Sequence, residues 1–427
     1  MFVPRSARRV RFARSAFVLG VLLPSVAIVA WAVHRRSVAH REAIRVAWEQ
    51  AVGQPLAVAS VDHPLPGVVR ARGCTLAAPG GRPGLAAPAV RVETSPGEVR
   101  IAVDALDCDP AGAALLAGLA DDWLRRGTRF RRDVVVDVAD FAWSVPGIDG
   151  RAERRPLGPV RVECVVKGEG RAVRIVRRDA AAEEARIVRS DEGGIDGGRL
   201  EVDASCSVPI PWAIVAAVLD RGGGWPSPGR GTTIRGRLSA AFSGGAWSGS
   251  ATGRIEAVDL AACTATHVNR VSGTMDVAVR GVEWRGGRLA TVDVACDVGA
   301  GRVDRRMLES LVSTLGCRVG PAYVGAAAEN ERAFDAAGCA IRVDGRGIEV
   351  AGSARLGGVL AVVAGRPLLD PPAGIVPPER LAWLVAPAAA VYVPSSGPGS
   401  WLMSILPGAG GPVERASQAE GEPGGGF

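Results

Sequence analysis

Residues 160–177 read VRVECVVKGEGRAVRIVR, and this stretch decides the class of fold. Apolar side chains at 160, 162, 164 and 166 alternate with charged side chains at 161, 163 and 167, before a glycine-rich turn at 168–170. Apolar segments recur at 185–188 and 200–205, on either side of a second glycine-rich turn at 193–198. A period of two with glycine turns is typical of antiparallel strands that share one apolar face. The stretch therefore predicts a β-meander over residues 160–206.

Similar signals extend outward from this meander. Short valine-rich segments between Pro-Gly and Gly-Gly turns precede it, and amphipathic helices are predicted at residues 110–126, 211–220, 304–315 and 378–385. The predicted fold class is mainly β with short helices: twisted antiparallel meanders form a groove or sandwich-like body, which the short helices cover. The body divides into β regions at 53–220 and 231–393. The tail at 407–427, rich in Gly, Pro, Glu and Ser, is predicted to be disordered.

An uncharged segment at residues 15–33 lies between two arginine-rich flanks. As a helix it spans about 28 Å, close to the ~30 Å hydrocarbon core of a bilayer. We therefore expect a transmembrane anchor that continues as a helix to residue 52, behind a basic cytoplasmic tail at 1–14. A cleaved signal peptide is the alternative, because Ala30-Trp31-Ala32 supplies small residues at cleavage spacing. The arginines that follow favour retention, and the short tail favours an extracytoplasmic body.

The formal net charge of +7 belongs to the membrane flank. Residues 1–46 hold nine arginines and one glutamate, which leaves 42 basic and 43 acidic side chains for the rest of the chain. A nucleic-acid-binding protein concentrates its basic residues on the folded domain, with aromatic residues among them. The charge distribution therefore predicts no nucleic-acid partner and favours contact with anionic lipid headgroups.

The chain lacks the residue patterns of common catalytic sites. Beyond residue 62 it has two histidines, His63 and His267, and neither has a second histidine at helical spacing. There is no GxSxG nucleophile elbow and no GxxxxGK[ST] phosphate-binding loop. We therefore predict no catalytic, cofactor-binding or metal-binding residues, and expect the protein not to be an enzyme.

Eight cysteines are present, and none forms a CxxC pair. In an extracytoplasmic body they permit disulfides. Two pairs each bracket one predicted meander and are the first candidates: Cys74 with Cys108, and Cys164 with Cys206. The alternative is that the cysteines are small buried apolar side chains on strands.

A family resemblance emerges in two regions of the chain. The anchor and its helix lead into VGQPLAVASV at 52–61 and PGVVRARGCTL at 66–76. Later come VSGTMDV at 271–277, WRGGRL at 284–289 and GAGRV at 299–303. Together these segments resemble AsmA-like bacterial envelope proteins. The resemblance implies a long curled β-groove that is anchored in the inner membrane and reaches into the periplasm. It carries over no catalytic residue.

Two functions follow as expectations. In the first, the β-groove body is non-catalytic and binds or transfers membrane lipid or assists envelope assembly, with envelope proteins as further partners. In the alternative, the protein is a structural or assembly scaffold of the cell envelope whose sheet faces are closed. The two differ in whether an apolar strand face is left uncovered.

Overall fold

The computed structural model describes residues 7–78, 83–126, 132–147, 150–167, 170–180, 183–190, 198–219, 228–265, 269–323, 330–377 and 380. The chain is mainly β with short helices, and this confirms the predicted fold class. It forms two compact units. Unit 1 comprises Met1–Pro226 and Thr233–Gly244, and unit 2 comprises Ser227–Thr232 and Gly245–Phe427.

Unit 1 begins with the helices α1 (Ala7–Phe17), α2 (Leu23–Arg35) and α3 (Val38–Val52). A π-helical turn, Val18–Leu22, joins α1 to α2, and the Leu23 N–H donates to Val18 O. This wide turn directly precedes Pro24. In a regular α-helix a proline ring clashes with the carbonyl group four residues before it, and the wider π-helical turn gives the ring room. The Ser37 hydroxyl caps α3, and Gly53 ends it with φ 76°. The predicted helix end at residue 52 is thereby confirmed.

The strands of unit 1 form one sheet. They are β1 (Leu56–Leu65), β2 (Val68–Ala77), β3 (Pro83–Thr94), β4 (Glu98–Val103), β5 (Leu106–Cys108), β6 (Asp133–Pro146), β7 (Ala152–Lys167), β8 (Gly170–Arg177), β9 (Glu184–Ser190), β10 (Arg199–Pro211) and β11 (Thr233–Ser243). The strands from β6 to β11 pair antiparallel in chain order. The meander predicted over residues 160–206 is therefore confirmed.

One part of this sheet departs from the predicted antiparallel pattern. β1, β2 and β3 pair in sequence, and β3 then pairs with both β4 and β5. β4 and β5 each pair with β6 in parallel. The helix α4 (Pro110–Arg126) connects β5 to β6. It brings the chain back so that β6 can run in the same direction as β4 and β5. A parallel pair needs such a crossover, and α4 supplies it.

The core of unit 1 lies between one sheet face and its helices. Leu115 of α4 and Ile214 of α5 (Trp212–Leu219) pack against Val138 and Phe141 of β6, and Trp48 of α3 joins the same cluster. α5 directly follows β10 yet contacts β6. α5 therefore lies across the sheet face between β10 and β6.

The opposite face of the sheet is charged. Asp137 accepts from Arg161 at 2.7 Å, and Glu184 accepts from Arg174 at 2.7 Å across the strand pair β8–β9. Such exposed ion pairs contribute little to stability. Together they make this face, which also carries valines such as Val135 and Val188, more polar than the helix side.

Unit 2 contains β12 (Ala246–Asp259), β13 (Val271–Ser272), β14 (Thr274–Arg285), β15 (Arg288–Val298), β16 (Gly301–Asp304), β17 (Arg318–Val319), β18 (Glu331–Phe334), β19 (Ala336–Asp344), β20 (Gly347–Gly352), β21 (Ala361–Val363) and β22 (Arg366–Asp370). β12, β14, β15 and β19 pair antiparallel, and β19 pairs with β20 and β21. β21 pairs with β22, which pairs with β17. β13, β16 and β18 form a separate small sheet.

The described residues of unit 2 include the α-helices α6 (Leu260–Thr264) and α7 (Arg305–Ser313) and a 3₁₀ turn, Ala354–Leu356. Asp304 caps α7 by accepting from the Met307 N–H at 2.6 Å. Leu308 of α7 is buried with Phe334 and Leu368. The helices predicted at 110–126, 211–220 and 304–315 are confirmed within one or two residues, whereas α6 was not predicted. The predicted helix at 378–385 and the tail at 407–427 lie almost wholly outside the described residues.

Candidate apolar binding surface

Two rows of apolar residues cross the sheet of unit 1. Strand register aligns the first row from β6 to β11 as Val136, Val162, Ile175, Ala185, Ala204 and Leu238. It aligns the second as Val134, Cys164, Val173, Ile187, Val202 and Ala240. Residues that oppose each other across antiparallel strands share a face. We call these two rows the unit 1 apolar face.

The helices cover this face incompletely. α4 packs against β8 and β9, and Val173 is only 2% exposed. Ile175, two residues further along β8 and in the first row, is 38% exposed, and Leu238 on β11 is 39% exposed. The unit 1 apolar face therefore runs from under α4 to surface that is open to solvent.

Charged residues flank the unit 1 apolar face on both sides, at the level of β8 and β9. On one side Arg171 of β8 opposes Arg189 of β9, and Arg171 donates to the Leu124 carbonyl at 3.1 Å. On the other side Arg177 pairs with the buried Glu183 at 2.6 Å. Glu183 also accepts a hydrogen bond from the Ser207 hydroxyl. An apolar ligand along these rows would therefore pass charged groups on either side where it crosses β8 and β9.

Unit 2 has a comparable apolar row. Ile255, Val277, Cys296 and Cys339 lie in register across β12, β14, β15 and β19. Next to it, Ile341 and Val350 pack against Leu315 and Cys317 in the segment after α7. Ile255, Val277 and Cys296 are half-buried.

The structure brings together neither predicted disulfide pair, and all eight cysteines are free. Cys74 is opposite Ala87 on β3, and Cys108 is opposite Leu85 on the other side of the same strand. Strands β8 and β9 lie between Cys164 and Cys206. With strands about 4.8 Å apart, each pair is separated by more than the ~7 Å at which a disulfide can form. The geometry thus corrects both pairings.

The buried cysteines instead fit the alternative interpretation, in which they are small apolar side chains on strands. Cys108 is fully buried and Cys74 is 7% exposed. Burial raises the pKa of the Cys108 thiol to about 12 and that of the Cys164 thiol to about 11. These thiols are therefore protonated and poorly reactive at neutral pH.

Three of the four histidines of the chain, His34, His40 and His63, lie close together near the junction of α2 and α3. His40 Nε2 and His63 Nε2 are 2.8 Å apart, so one nitrogen donates and the other accepts. The ring of His34 is 5.4 Å from that of His40. Among the described residues, no group of three or more His, Cys, Asp or Glu side chains is placed to hold a metal ion. His267 lies outside the described residues.

Acidification is expected to destabilise this junction. Burial, followed by the charges of Arg35 and the neighbouring histidines, lowers the pKa of both His40 and His63 from 6.5. The folded state then binds protons less readily than the unfolded state, so stability falls as the pH drops below about 6.5. The melting temperature of the full chain in detergent should decrease between pH 7.5 and 5.5. His63→Gln should reduce that decrease, and an unchanged pH dependence in this variant would contradict the assignment.

No protein-family model, no curated protein and no solved structure matches the chain. The fold and the surface define a β-rich protein that has an apolar amino-terminal helix and apolar sheet faces that are partly open to solvent. The resemblance to AsmA-like proteins stays a prediction.

Proposed function

We propose that the protein is a single-pass membrane protein whose β-rich body binds acyl chains on the unit 1 apolar face, without catalysis. The observation that carries the proposal is the pair of apolar rows, with Ile175 and Leu238 each more than a third exposed. Apolar surface in water costs roughly 25 cal/mol per Å². Six strands span about 24 Å at the usual strand spacing, longer than the ~15 Å that one leaflet's chains occupy.

The anchor places this surface near a source of lipid. The helical segment Arg14–Arg35 is long and apolar enough to cross a bilayer, and none of it is buried in the protein. Arg35 stacks over the Trp31 ring at 4.1 Å, a pairing suited to the membrane interface. α3 follows directly, and its Trp48 packs on the core of unit 1. We place the body on the extracytoplasmic side of an inner membrane, in keeping with the AsmA-like resemblance.

The charged flank suits a ligand that carries an anionic group beside an acyl chain. Arg171 and Arg189 oppose each other on β8 and β9, next to the rows. A carboxylate or phosphate could bind near these two guanidinium groups while the acyl chain extends along the rows toward β11.

Photo-crosslinking with a diazirine-labelled fatty acid tests this proposal in the full chain in native membranes. Crosslinks should fall on row residues in the tryptic peptides 162–167 and 238–254, beyond those in the membrane helix. Ile175→Asp with Leu238→Asp should lower the crosslinking of these peptides at least tenfold, because two buried charges oppose acyl binding.

The matched control is Leu65→Asp, a leucine 56% exposed at the end of β1 and outside the rows. This variant should crosslink like the wild type. Crosslinks confined to the membrane helix would overturn the proposal and leave the alternative, a structural or assembly scaffold of the cell envelope.

A further inference from the structure

Cys296 and Cys339 face each other directly across the strand pair β15–β19 of unit 2. The Cα atoms of directly opposed residues in an antiparallel pair are about 4.5–5.5 Å apart. A disulfide takes Cα separations of about 4.4–6.8 Å. The backbone register therefore already holds these two cysteines at bonding distance, unlike the two pairs that the sequence suggested.

The surroundings make the two thiols unequal. The interaction between the two thiol groups lowers the pKa of Cys296 and raises that of Cys339. Cys296 is thus the thiol that ionises first, and a thiolate is the form that attacks disulfides. Both residues are half-buried, so neither is sealed inside the core.

We propose that Cys296 and Cys339 are a redox-responsive pair that closes to a cross-strand disulfide by exchange with a disulfide oxidant such as oxidised glutathione. The Cys296 thiolate attacks one sulfur of the oxidant, forms a mixed disulfide and releases one thiolate. The Cys339 sulfur then attacks Cys296 Sγ, which forms the Sγ–Sγ bond and releases the second thiolate. The two cysteine protons pass to the released thiolates, so two protein thiols are oxidised and one oxidant disulfide is reduced.

The bond would tie the segment that carries α7 into a closed loop. β16, α7, β17 and β18 all lie between Cys296 and Cys339 in the chain. Closing a loop of this length restricts the unfolded chain, so oxidation should raise the melting temperature of unit 2 by about 5 °C or more. This inference does not depend on lipid binding.

Tryptic mapping of the full chain in mild detergent tests the pair. Cys296, Cys317 and Cys339 fall on separate peptides, 289–302, 307–318 and 333–342, because arginines bound each of them. The protein is treated with oxidised glutathione, its remaining thiols are blocked with N-ethylmaleimide, and it is digested without reductant. The expected product is peptide 289–302 linked to 333–342, lighter by two hydrogens than the sum of the reduced peptides.

Cys317→Ser is the matched control, since Cys317 is close enough to influence the pKa of Cys339 and is the competing partner. This variant should form the same linked product with the same yield. A link between 307–318 and 333–342 in the wild type would overturn the proposal. So would recovery of 289–302 and 333–342 as separate N-ethylmaleimide or glutathione adducts.

Discussion

Replacement of Val26 and Ile28 by aspartate together is expected to abolish membrane insertion. Both side chains are more than half exposed on the helical segment Arg14–Arg35, with no protein neighbour to shield a charge. An aspartate at the centre of a membrane helix costs about 2.5–3.5 kcal/mol, so two should oppose insertion by about 5–7 kcal/mol. After carbonate extraction of cell membranes, the wild type should stay in the pellet and the double variant should move to the supernatant.

Phe12→Asp provides the control for this experiment. Phe12 is 77% exposed and lies before the uncharged segment, where a charge remains in water. The Phe12 variant should stay in the membrane pellet. Retention of the double aspartate variant in the pellet would refute the transmembrane assignment and attribute membrane contact to another part of the chain.

The second large effect is expected from Phe141→Ala in the core of unit 1. Phe141 is 6% exposed, and its ring meets that of Trp143 edge-on at 4.7 Å between centroids. Loss of a buried phenylalanine costs about 3–5 kcal/mol, because the removed atoms leave a cavity. Hydrogen exchange of the full chain should therefore show amide protection in β6 and β7 reduced a hundredfold or more.

Leu65→Ala tests whether the loss is specific to the core. Leu65 is 56% exposed at the end of β1, so its truncation should change protection by less than about 0.5 kcal/mol. If the two variants lose similar protection, Phe141 does not have the central packing role that its burial indicates.

Much of the fold could be predicted from the sequence because the signals are local. The alternation at 160–166 indicated β7 and the apolar side of its strand, and the turn at 168–170 led to β8 as expected. Asp109 with Pro110 marked the start of α4, and Asp304 marked that of α7. Each signal depends on side chains a few residues apart, so one sequence suffices to detect it.

The pairing of residues that are distant in the chain was harder to predict from the sequence. Both disulfide predictions assumed that the ends of a meander meet, whereas strands lie between the two cysteines of each pair. His63 was considered without a partner, yet His40 contacts it across a separation of 23 residues. The sequence likewise did not indicate that the strands of Cys296 and Cys339 are neighbours.

By itself, the sequence determined the long apolar segment near the amino end, the mainly β class, the starts of α4, α5 and α7, and which side of β7 is apolar. Only the tertiary structure decided that β4 and β5 run parallel to β6, that Cys296 opposes Cys339, and that Ile175 stays exposed beside the buried Val173. Periodicity and capping follow from the backbone geometry of neighbouring residues. Strand order and register instead depend on which distant apolar faces the folded chain packs together.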